Sequence, residues 1–213
     1  MDILSFISQK GGSGKTTLAL HIAVAAEQQG KKVALIDIDP QGSSVAWHAE
    51  RDADSPLLAQ CHAGELPDIL QECQDSGMDL VVIDTAPHNN TEAIKAAQLS
   101  DLMLIPCRPT ILDLRAIAPS IDIAQQAKTK VAVVFSACPP QRGLGEPAVV
   151  AEARQALEND YQVKVWAGRI TQRAAYHYAL IDSRAVTEFE PKGKSADEIR
   201  TLWKWITGEL KNG

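Results

Sequence analysis

The feature that most constrains this 213-residue chain is a glycine-rich segment between two regular stretches. Residues 10–17 read KGGSGKTT. Residues 3–8 before them have the apolar pattern of a β-strand, and residues 15–29 have the pattern of a helix. Glycines allow a tight turn that directs backbone N–H groups inward, and a helix beginning there adds positive potential. The sequence therefore predicts an anion-binding loop at a helix N-terminus.

The loop departs from the common phosphate-binding pattern GxxxxGK[ST] at its first position. Gly14, Lys15 and Thr16 supply the end of the pattern, but Gln9 stands where the leading glycine would be. The chemistry is retained, because Lys15 can reach nucleotide phosphates and the Thr16 hydroxyl can coordinate Mg²⁺. A glycine-rich turn without a ligand is the alternative, and the strand before and helix after it argue against that. The predicted nucleotide-binding residues are Lys10, Gly11, Gly12, Ser13, Gly14, Lys15, Thr16 and Thr17.

Three carboxylates lie at the ends of predicted apolar strands. Asp37 ends the stretch VALID, Asp39 comes two residues later, and Asp84 ends the stretch LVVID. Open α/β sheets bind ligands at the carboxyl ends of their strands, and a triphosphate site needs carboxylates near its metal ion. Each acid alone could equally be solvated or cap a helix. Together with the loop, all three are candidates for the site.

Short apolar runs alternate with amphipathic stretches along the chain. Four of the runs are apolar nearly throughout: 33–37, 80–84, 102–106 and 130–136. Such strands are typical of a parallel sheet that helices cover on both faces. The order predicts an α/β fold, a doubly wound, mostly parallel sheet flanked by helices, in a single domain over residues 1–213.

Prolines and glycines divide the second half of the chain. A helix is predicted over 113–127, in which Pro119 either introduces a kink or marks the true start. Residues 139–146 (PPQRGLGE) have the composition of a loop. A helix is predicted over 146–159, with Pro147 in its first turn.

Composition and charge exclude some classes of protein. The net charge of −6 argues against a chain that is basic throughout, although residues 162–213 are mildly basic and could form a nucleic-acid patch. No apolar run approaches the roughly 18 residues that span a bilayer, and the first residues lack the pattern of a signal peptide. The four cysteines are widely spaced, as expected of reduced thiols in a cytoplasmic protein.

The motifs KGGSGKTT, DIDPQGS and VVIDTAP together resemble the signature set of the deviant Walker A ATPases, which are P-loop NTPases. Within these, the sequence is most similar to ParA-type DNA-partition ATPases, over nearly the whole chain. Residues 105–114 resemble a proline-rich segment of the small ParA proteins, and residues 170–188 resemble their C-terminal segment. The resemblance implies the small form, without an N-terminal helix-turn-helix. Residues 182–184 (DSR) depart from the family, since many relatives have a glycine there.

The resemblance also implies roles for the site residues, with ATP and Mg²⁺ as cofactors. Lys10 would be the signature lysine that reaches the partner's phosphates across an ATP-bound homodimer. Asp39 would orient or activate the attacking water, and Lys15 would neutralise phosphate charge. Thr16, Asp37 and Asp84 would hold the Mg²⁺ shell. Hydrolysis would be weak until a partner stimulates it.

The same resemblance implies the partners. The dimer would bind nucleoid DNA without sequence preference, and a centromere-binding adaptor of ParB or ParG type would stimulate hydrolysis, so that a plasmid or a chromosome is segregated. The expected location is cytoplasmic and nucleoid-associated, with no membrane. Candidate DNA-contacting residues are Arg169, Arg173, Arg184, Lys192, Lys194, Arg200, Lys204 and Lys211.

Three alternatives remain. The first is a MinD-like ATPase that acts in positioning at a membrane or positions protein clusters. Its membrane function would need a terminal amphipathic helix. The apolar stripe Ile199, Leu202, Trp203, Ile206 and Leu210 suits a helix packed on the core better. An iron–sulfur reductase would need cysteines in a cluster-binding pattern, which is absent from the sequence. An ATP-binding scaffold with little hydrolysis is the third.

Overall fold

The computed structural model describes residues 1–141 and 145–211. Within these residues the strands are β1 (Asp2–Phe6), β2 (Val33–Asp37), β3 (Leu57–Gln60), β4 (Leu80–Asp84), β5 (Leu102–Cys107), β6 (Val131–Phe135) and β7 (Lys164–Val165). They form one seven-stranded sheet in the order β3-β2-β4-β1-β5-β6-β7. Every pairing between neighbouring strands is parallel. The predicted parallel sheet is confirmed.

Helices connect the strands. They are α1 (Lys15–Glu27), α2 (Ser43–Ala49), α3 (Leu66–Asp75), α4 (Asn90–Gln98), α5 (Ile111–Arg115), α6 (Ala118–Ala127), α7 (Ala148–Asp160), α8 (Ala174–Ile181), α9 (Val186–Phe189) and α10 (Lys194–Lys211).

A hydrophobic cluster lies on each face of the sheet. One contains buried residues of α1 and α10, among them Ile22 and Trp203. The other contains buried residues of α3, α4, α6 and α7. Successive residues of a strand point to opposite faces, so Val82 of β4 joins the first cluster and Val81 of the same strand joins the second. The doubly wound α/β architecture is therefore confirmed.

Local predictions in the second half of the chain have mixed outcomes. Of the two interpretations of Pro119 in the helix predicted over 113–127, the second is confirmed, because α6 begins at Ala118 with Pro119 in its first turn. Residues 113–115 belong instead to a separate short helix, α5. Pro147 precedes α7 with extended backbone instead of lying inside its first turn. The short helix α9 has too few residues for a periodic pattern and was not predicted. Of the predicted loop over 139–146, residues 142–144 lie outside the described residues.

A completely buried histidine joins α1 to the C-terminal helices. His21 accepts a hydrogen bond at Nδ1 from the Val186 backbone N–H over 3.3 Å, and its ring lies 5.3 Å from that of Tyr176. Burial lowers the pKa of His21 to about 3, against the attraction of Glu188. The imidazole is therefore neutral in the folded chain at any pH near neutrality.

His21 should make stability fall in acid. Its pKa is lower in the folded chain than in the unfolded chain, so the unfolded state binds an extra proton below about pH 6.5. This term costs about 1.4 kcal/mol of unfolding free energy for each pH unit below that value, down to about pH 3.

We expect His21→Gln to remove this slope from urea-denaturation free energies measured between pH 5 and pH 8, whatever its effect on absolute stability. His177→Gln, at an exposed position of α8, is the control and should keep the slope. An unchanged slope in His21→Gln would contradict the prediction.

Candidate functional site

The predicted anion-binding loop leaves the carboxyl end of β1 and ends in the first turn of α1. Gly12 has a φ of +69° and Gly14, the N-cap of α1, has a φ of +103°, which are left-handed conformations that favour glycine. The backbone N–H groups of residues 11–14 make no hydrogen bond with another described residue. The first N–H groups of α1 also have no partner within the helix. The loop therefore presents a row of donors to an anion.

Side chains from other elements hold the loop by its backbone. The Ser136 hydroxyl donates to the Ser13 carbonyl over 2.6 Å, and the Arg108 guanidinium donates to the Gly12 carbonyl over 2.6 Å. The Gln9 N–H donates to the Ser120 hydroxyl over 3.0 Å. These three contacts were not predicted, because they join residues about 100 or more positions apart. They leave the loop's N–H groups available.

Lys15 lies at the base of the loop and is 6% exposed. Burial lowers the pKa of its ammonium, against the attraction of Asp84 and Asp39. The predicted lysine and two of the predicted carboxylates are thus brought together. A bound phosphate would complete the neutralisation of this buried cation.

Asp37 and Asp84 meet because their strands are neighbours. The two residues are direct partners in the parallel β2–β4 pairing. Asp37 accepts hydrogen bonds from the Asp39 N–H (2.9 Å) and the Ser44 N–H (3.1 Å), and the Ser44 hydroxyl donates to Asp84 over 2.9 Å. Sequence reasoning missed Ser44, although it directly follows the DIDPQGS motif. Ser44 bridges the two acids through its backbone and its side chain.

Burial makes this pair of acids costly to ionise. It raises the pKa of Asp37, and it raises that of Asp84 to about 7, where hydrogen bonding from Thr16 and Ser44 offsets only part of the effect. The Oδ1 atom of Asp84 is buried and has no hydrogen-bond partner among the described residues. An uncompensated carboxylate oxygen near the Thr16 hydroxyl suits a divalent cation.

The predicted metal residues fit Mg²⁺ better than a metal held wholly by protein. The described part of the chain contains no group of three or more His, Cys, Asp and Glu side chains that could hold a metal ion. Mg²⁺ commonly uses one or two carboxylates and completes its shell with phosphate oxygens and water. Thr16, Asp37 and Asp84 match that donor set.

Asp39 lies beyond the metal residues, in the turn between β2 and α2. Its side chain is half-buried, and Oδ1 accepts the Gln41 N–H over 3.0 Å. Its charge raises the pKa of Lys15, so the carboxylate lies within electrostatic range of the lysine at the base of the loop. A carboxylate in this place can accept a proton or a hydrogen bond from water beside a bound phosphate.

Lys10 does not point into its own loop. Its ammonium forms an ion pair with Asp113 at 2.8 Å, and the lysine side chain is 38% exposed whereas that of Asp113 is 8% exposed. Burial raises the pKa of Asp113, but hydrogen bonds from Lys10 and Thr110 outweigh it and the net pKa is lowered. Asp113 belongs to α5, next to the exposed Leu112. The predicted signature lysine therefore lies at the rim of the loop.

A pocket of about 370 Å³ adjoins the loop. Its walls come from the loop and the first turn of α1, from the segments after β5 and β6, and from residues 170–180, part of the C-terminal segment that resembles ParA proteins. Thr171 and Tyr176 in this wall are anchored by Glu198 of α10, through hydrogen bonds of 3.0 and 3.2 Å. The pocket has room for a nucleoside beside the phosphate loop.

The basic candidates for DNA contact divide into two groups. The arginines donate to nearby side chains: Arg169 to Gln141, Arg173 to Glu198, Arg184 to Asp182 and Arg200 to Asp197. The lysines are exposed, and within residues 1–141 and 145–211 they make no ion pair: Lys192, Lys194, Lys204 and Lys211. The lysines are therefore the stronger candidates.

The apolar stripe of α10 packs on the core, as predicted. Ile199, Leu202 and Ile206 are completely buried, and Trp203 is 1% exposed. No helix in the described residues is long and apolar enough to cross a membrane. The stripe is therefore not available to insert into a lipid surface.

The cysteines are free thiols, and two are buried in the sheet region. Burial raises the pKa of Cys107 and of Cys138 to about 12. These two thiols therefore stay protonated near neutral pH.

A parallel α/β sheet with this loop at the end of its central strand defines a P-loop nucleotide-binding protein. The chain belongs to the family described as the CobQ/CobB/MinD/ParA nucleotide binding domain, whose model matches residues 4–137. The predicted relationship to ParA and MinD ATPases is confirmed.

Relatives extend over almost the whole chain. The maintenance of carboxysome distribution protein A of Halothiobacillus neapolitanus is 29% identical over 210 residues, with 93% of each chain covered. The protein of the same name from Gloeobacter kilaueensis is 30% identical over 212 residues, covering 98% of this chain and 93% of the relative. The solved MinD cell division protein of Aquifex aeolicus has a TM-score of 0.77 at 18% identity, covering 98% of each chain, which shows the shared fold.

The Ser44 bridge should stabilise the charged form of Asp84. We expect Ser44→Ala to lower the free energy of unfolding by about 1–3 kcal/mol, because it leaves a buried carboxylate oxygen unpaired. The folded-state pKa of Asp84 is raised to about 7, so stability is lost as the pH rises from the unfolded-state pKa towards that value. Removing the Ser44 hydroxyl raises the folded-state pKa further, which extends this loss above pH 7. The loss in Ser44→Ala should therefore be larger at pH 8 than at pH 6.

Urea denaturation of the nucleotide-free chain at the two pH values measures this. Ser43→Ala, at the exposed neighbouring position, is the control and should change little. An equal loss at pH 6 and pH 8 would show that the hydroxyl does not act through the Asp84 charge.

Proposed function

We propose that this chain is a Mg²⁺-dependent ATPase in which ATP binding drives formation of a homodimer that holds DNA. The observation that carries the proposal is the position of Lys10. Its side chain is 38% exposed, and its ammonium, at the rim of the loop, is held by Asp113 alone among the ion pairs of the described chain. A cation in that place is available to the phosphates of a second subunit facing the loop.

The residues of one subunit divide the chemistry among them. The loop N–H groups and Lys15 would bind the phosphate chain, and Thr16, Asp37 and Asp84 would hold Mg²⁺. The chemistry that the ion would supply there is neutralisation of phosphate charge. Asp39 would orient the attacking water or accept its proton. Its position is fixed by the hydrogen bond that its backbone N–H donates to the Asp37 carboxylate. Exchange of Lys10 from Asp113 to a partner's phosphate would couple dimerisation to nucleotide state.

Asp39→Ala should separate hydrolysis from binding. The turnover rate should fall about a hundredfold or more, because a positioned proton acceptor is lost. ATP affinity should remain within a few-fold of wild type, since Asp39 is not among the residues placed on the phosphates or the metal. Steady-state phosphate release and equilibrium binding of a fluorescent ATP analogue measure the two quantities. Asp54→Ala, at an exposed position, is the control. Unchanged turnover in Asp39→Ala would remove its proposed role.

DNA binding is proposed for the side of the molecule that carries α10. Arg200, Lys204 and Lys211 are spaced by four and seven residues, which places them along one side of the helix, while its buried stripe faces the core. Lys192 and Lys194 are exposed near its start. Such a patch is weak in one subunit, and a dimer doubles its contacts with phosphates.

Retention of non-specific duplex DNA should require ATP and should fall as salt rises. ADP should not support it, because the dimer depends on the terminal phosphate. Lys10→Ala should lose the ATP-dependent retention, whereas Lys31→Ala, at an exposed position, should keep it. Filter or biosensor assays at increasing NaCl concentration provide the measurement. Retention of anionic liposomes in place of DNA would favour a MinD-like membrane function and overturn this proposal.

We propose two cargo classes. The ParA-like motifs favour a plasmid or chromosome, linked through a centromere-binding adaptor of ParB or ParG type that stimulates hydrolysis. Two relatives that extend over more than nine-tenths of this chain are named for carboxysome distribution, which favours a protein assembly as the second candidate. Affinity capture with the ATP-locked Asp39→Ala protein, from cells carrying the native neighbouring genes, tests the choice. A centromere-bound adaptor supports the first class, and a shell or scaffold protein supports the second.

A further inference from the structure

Arg108 is an arginine at the mouth of the phosphate loop to which the proposed mechanism assigns no role. It follows β5 directly and is exposed. One of its terminal nitrogens donates to the Gly12 carbonyl over 2.6 Å, and a Cβ built on Gly12 would lie 3.6 Å from the same nitrogen. Its side chain also lines the pocket that adjoins the loop. The guanidinium is therefore anchored beside the place where phosphates would lie.

The charges around the loop leave this cation without a matched anion. Lys15 is attracted by Asp84 and Asp39, and Lys10 pairs with Asp113. Arg108 forms no ion pair within the described part of the chain, and its hydrogen bond goes to a neutral carbonyl. A guanidinium has five N–H donors, so most of them stay available after that bond. Its charge contributes to lowering the pKa of Asp113, but from outside hydrogen-bonding contact.

We propose that Arg108 binds the phosphate chain of the nucleotide held in the loop of its own subunit. The contact with Gly12 fixes the guanidinium at the edge of the loop, and the free N–H groups bind phosphate oxygens. Arginine suits this role because its planar fork matches phosphate geometry and its charge persists at any physiological pH. Arg108 would then act as a nucleotide-positioning residue that discriminates diphosphates and triphosphates from a monophosphate. The inference rests on the proposed nucleotide site.

The competing explanation is that Arg108 only supports the loop through Gly12. Substitution by glutamine separates the two roles, because its amide keeps a donor for the carbonyl but lacks the charge. Substitution by lysine keeps the charge and loses the planar fork. Arg115→Gln is the matched control, since Arg115 is exposed on the nearby α5.

The test uses equilibrium binding of fluorescent ADP and AMP analogues to the full chain with Mg²⁺, at low and high NaCl. We expect Arg108→Gln to weaken ADP binding about tenfold or more and to reduce its salt dependence, because one charged contact is lost. AMP binding should change less, Arg108→Lys should recover part of the ADP affinity, and Arg115→Gln should match wild type.

Two results would overturn the proposal. Wild-type ADP affinity in Arg108→Gln would show that the hydrogen bond to Gly12 is sufficient. Equal losses of ADP and AMP affinity in Arg108→Gln and Arg108→Lys would assign a structural role, and urea midpoints of the same variants identify a folding defect. If the wild-type chain itself binds neither nucleotide, the proposed function fails as well, so the two failures are distinguishable.

Discussion

The parallel pairing of β4 with both β1 and β2 is the constraint on which the rest of the site depends. The phosphate loop follows the carboxyl end of β1, and the register of β2 with β4 places Asp37 beside Asp84. All three strands end at the same edge of the sheet, which concentrates the loop, both acids and the start of α1 in one place. Ser44 then links the acids, and burial in this corner raises the pKa of both carboxyls. A buried, electron-rich corner beside a row of N–H donors is suited to a metal–phosphate complex.

The loop itself is held mainly from a distance. Ser136 follows β6, Arg108 follows β5, and Ser120 lies in α6, and each contacts the backbone of the loop or its flank. The same side of the molecule carries the Lys10–Asp113 ion pair. In a single subunit, the charge of Lys10 is therefore already paired with that of Asp113. Any partner phosphate that attracts Lys10 must compete with an ion pair whose acid is largely buried, which makes the rim a natural point for nucleotide-dependent rearrangement.

Local motifs allowed much of the fold to be predicted, and the errors have clear causes. Apolar runs located the central strands because a strand buried on both faces must be apolar throughout. The helix predicted over 113–127 extends across the break between α5 and α6 because the helical pattern continues through it, and Pro119 alone indicates where α6 begins. Within the departing segment 182–184, Ser183 has a φ of +50°, a left-handed conformation that glycine adopts most readily. Its carbonyl accepts a hydrogen bond from Arg51, which also pairs with Glu188.

The sequence by itself determined the phosphate loop, the acids at the strand ends and the parallel sheet, because each depends on residues close together in the chain. A glycine turn, a helix start and a buried strand are local, and their patterns can be read directly. Only the tertiary structure decided the partner of Lys10, the bridge through Ser44 and the position of Arg108 against Gly12. Those contacts join segments that the order of strands in the sheet brings together. Their geometry depends on strand register and helix packing, which no short pattern specifies.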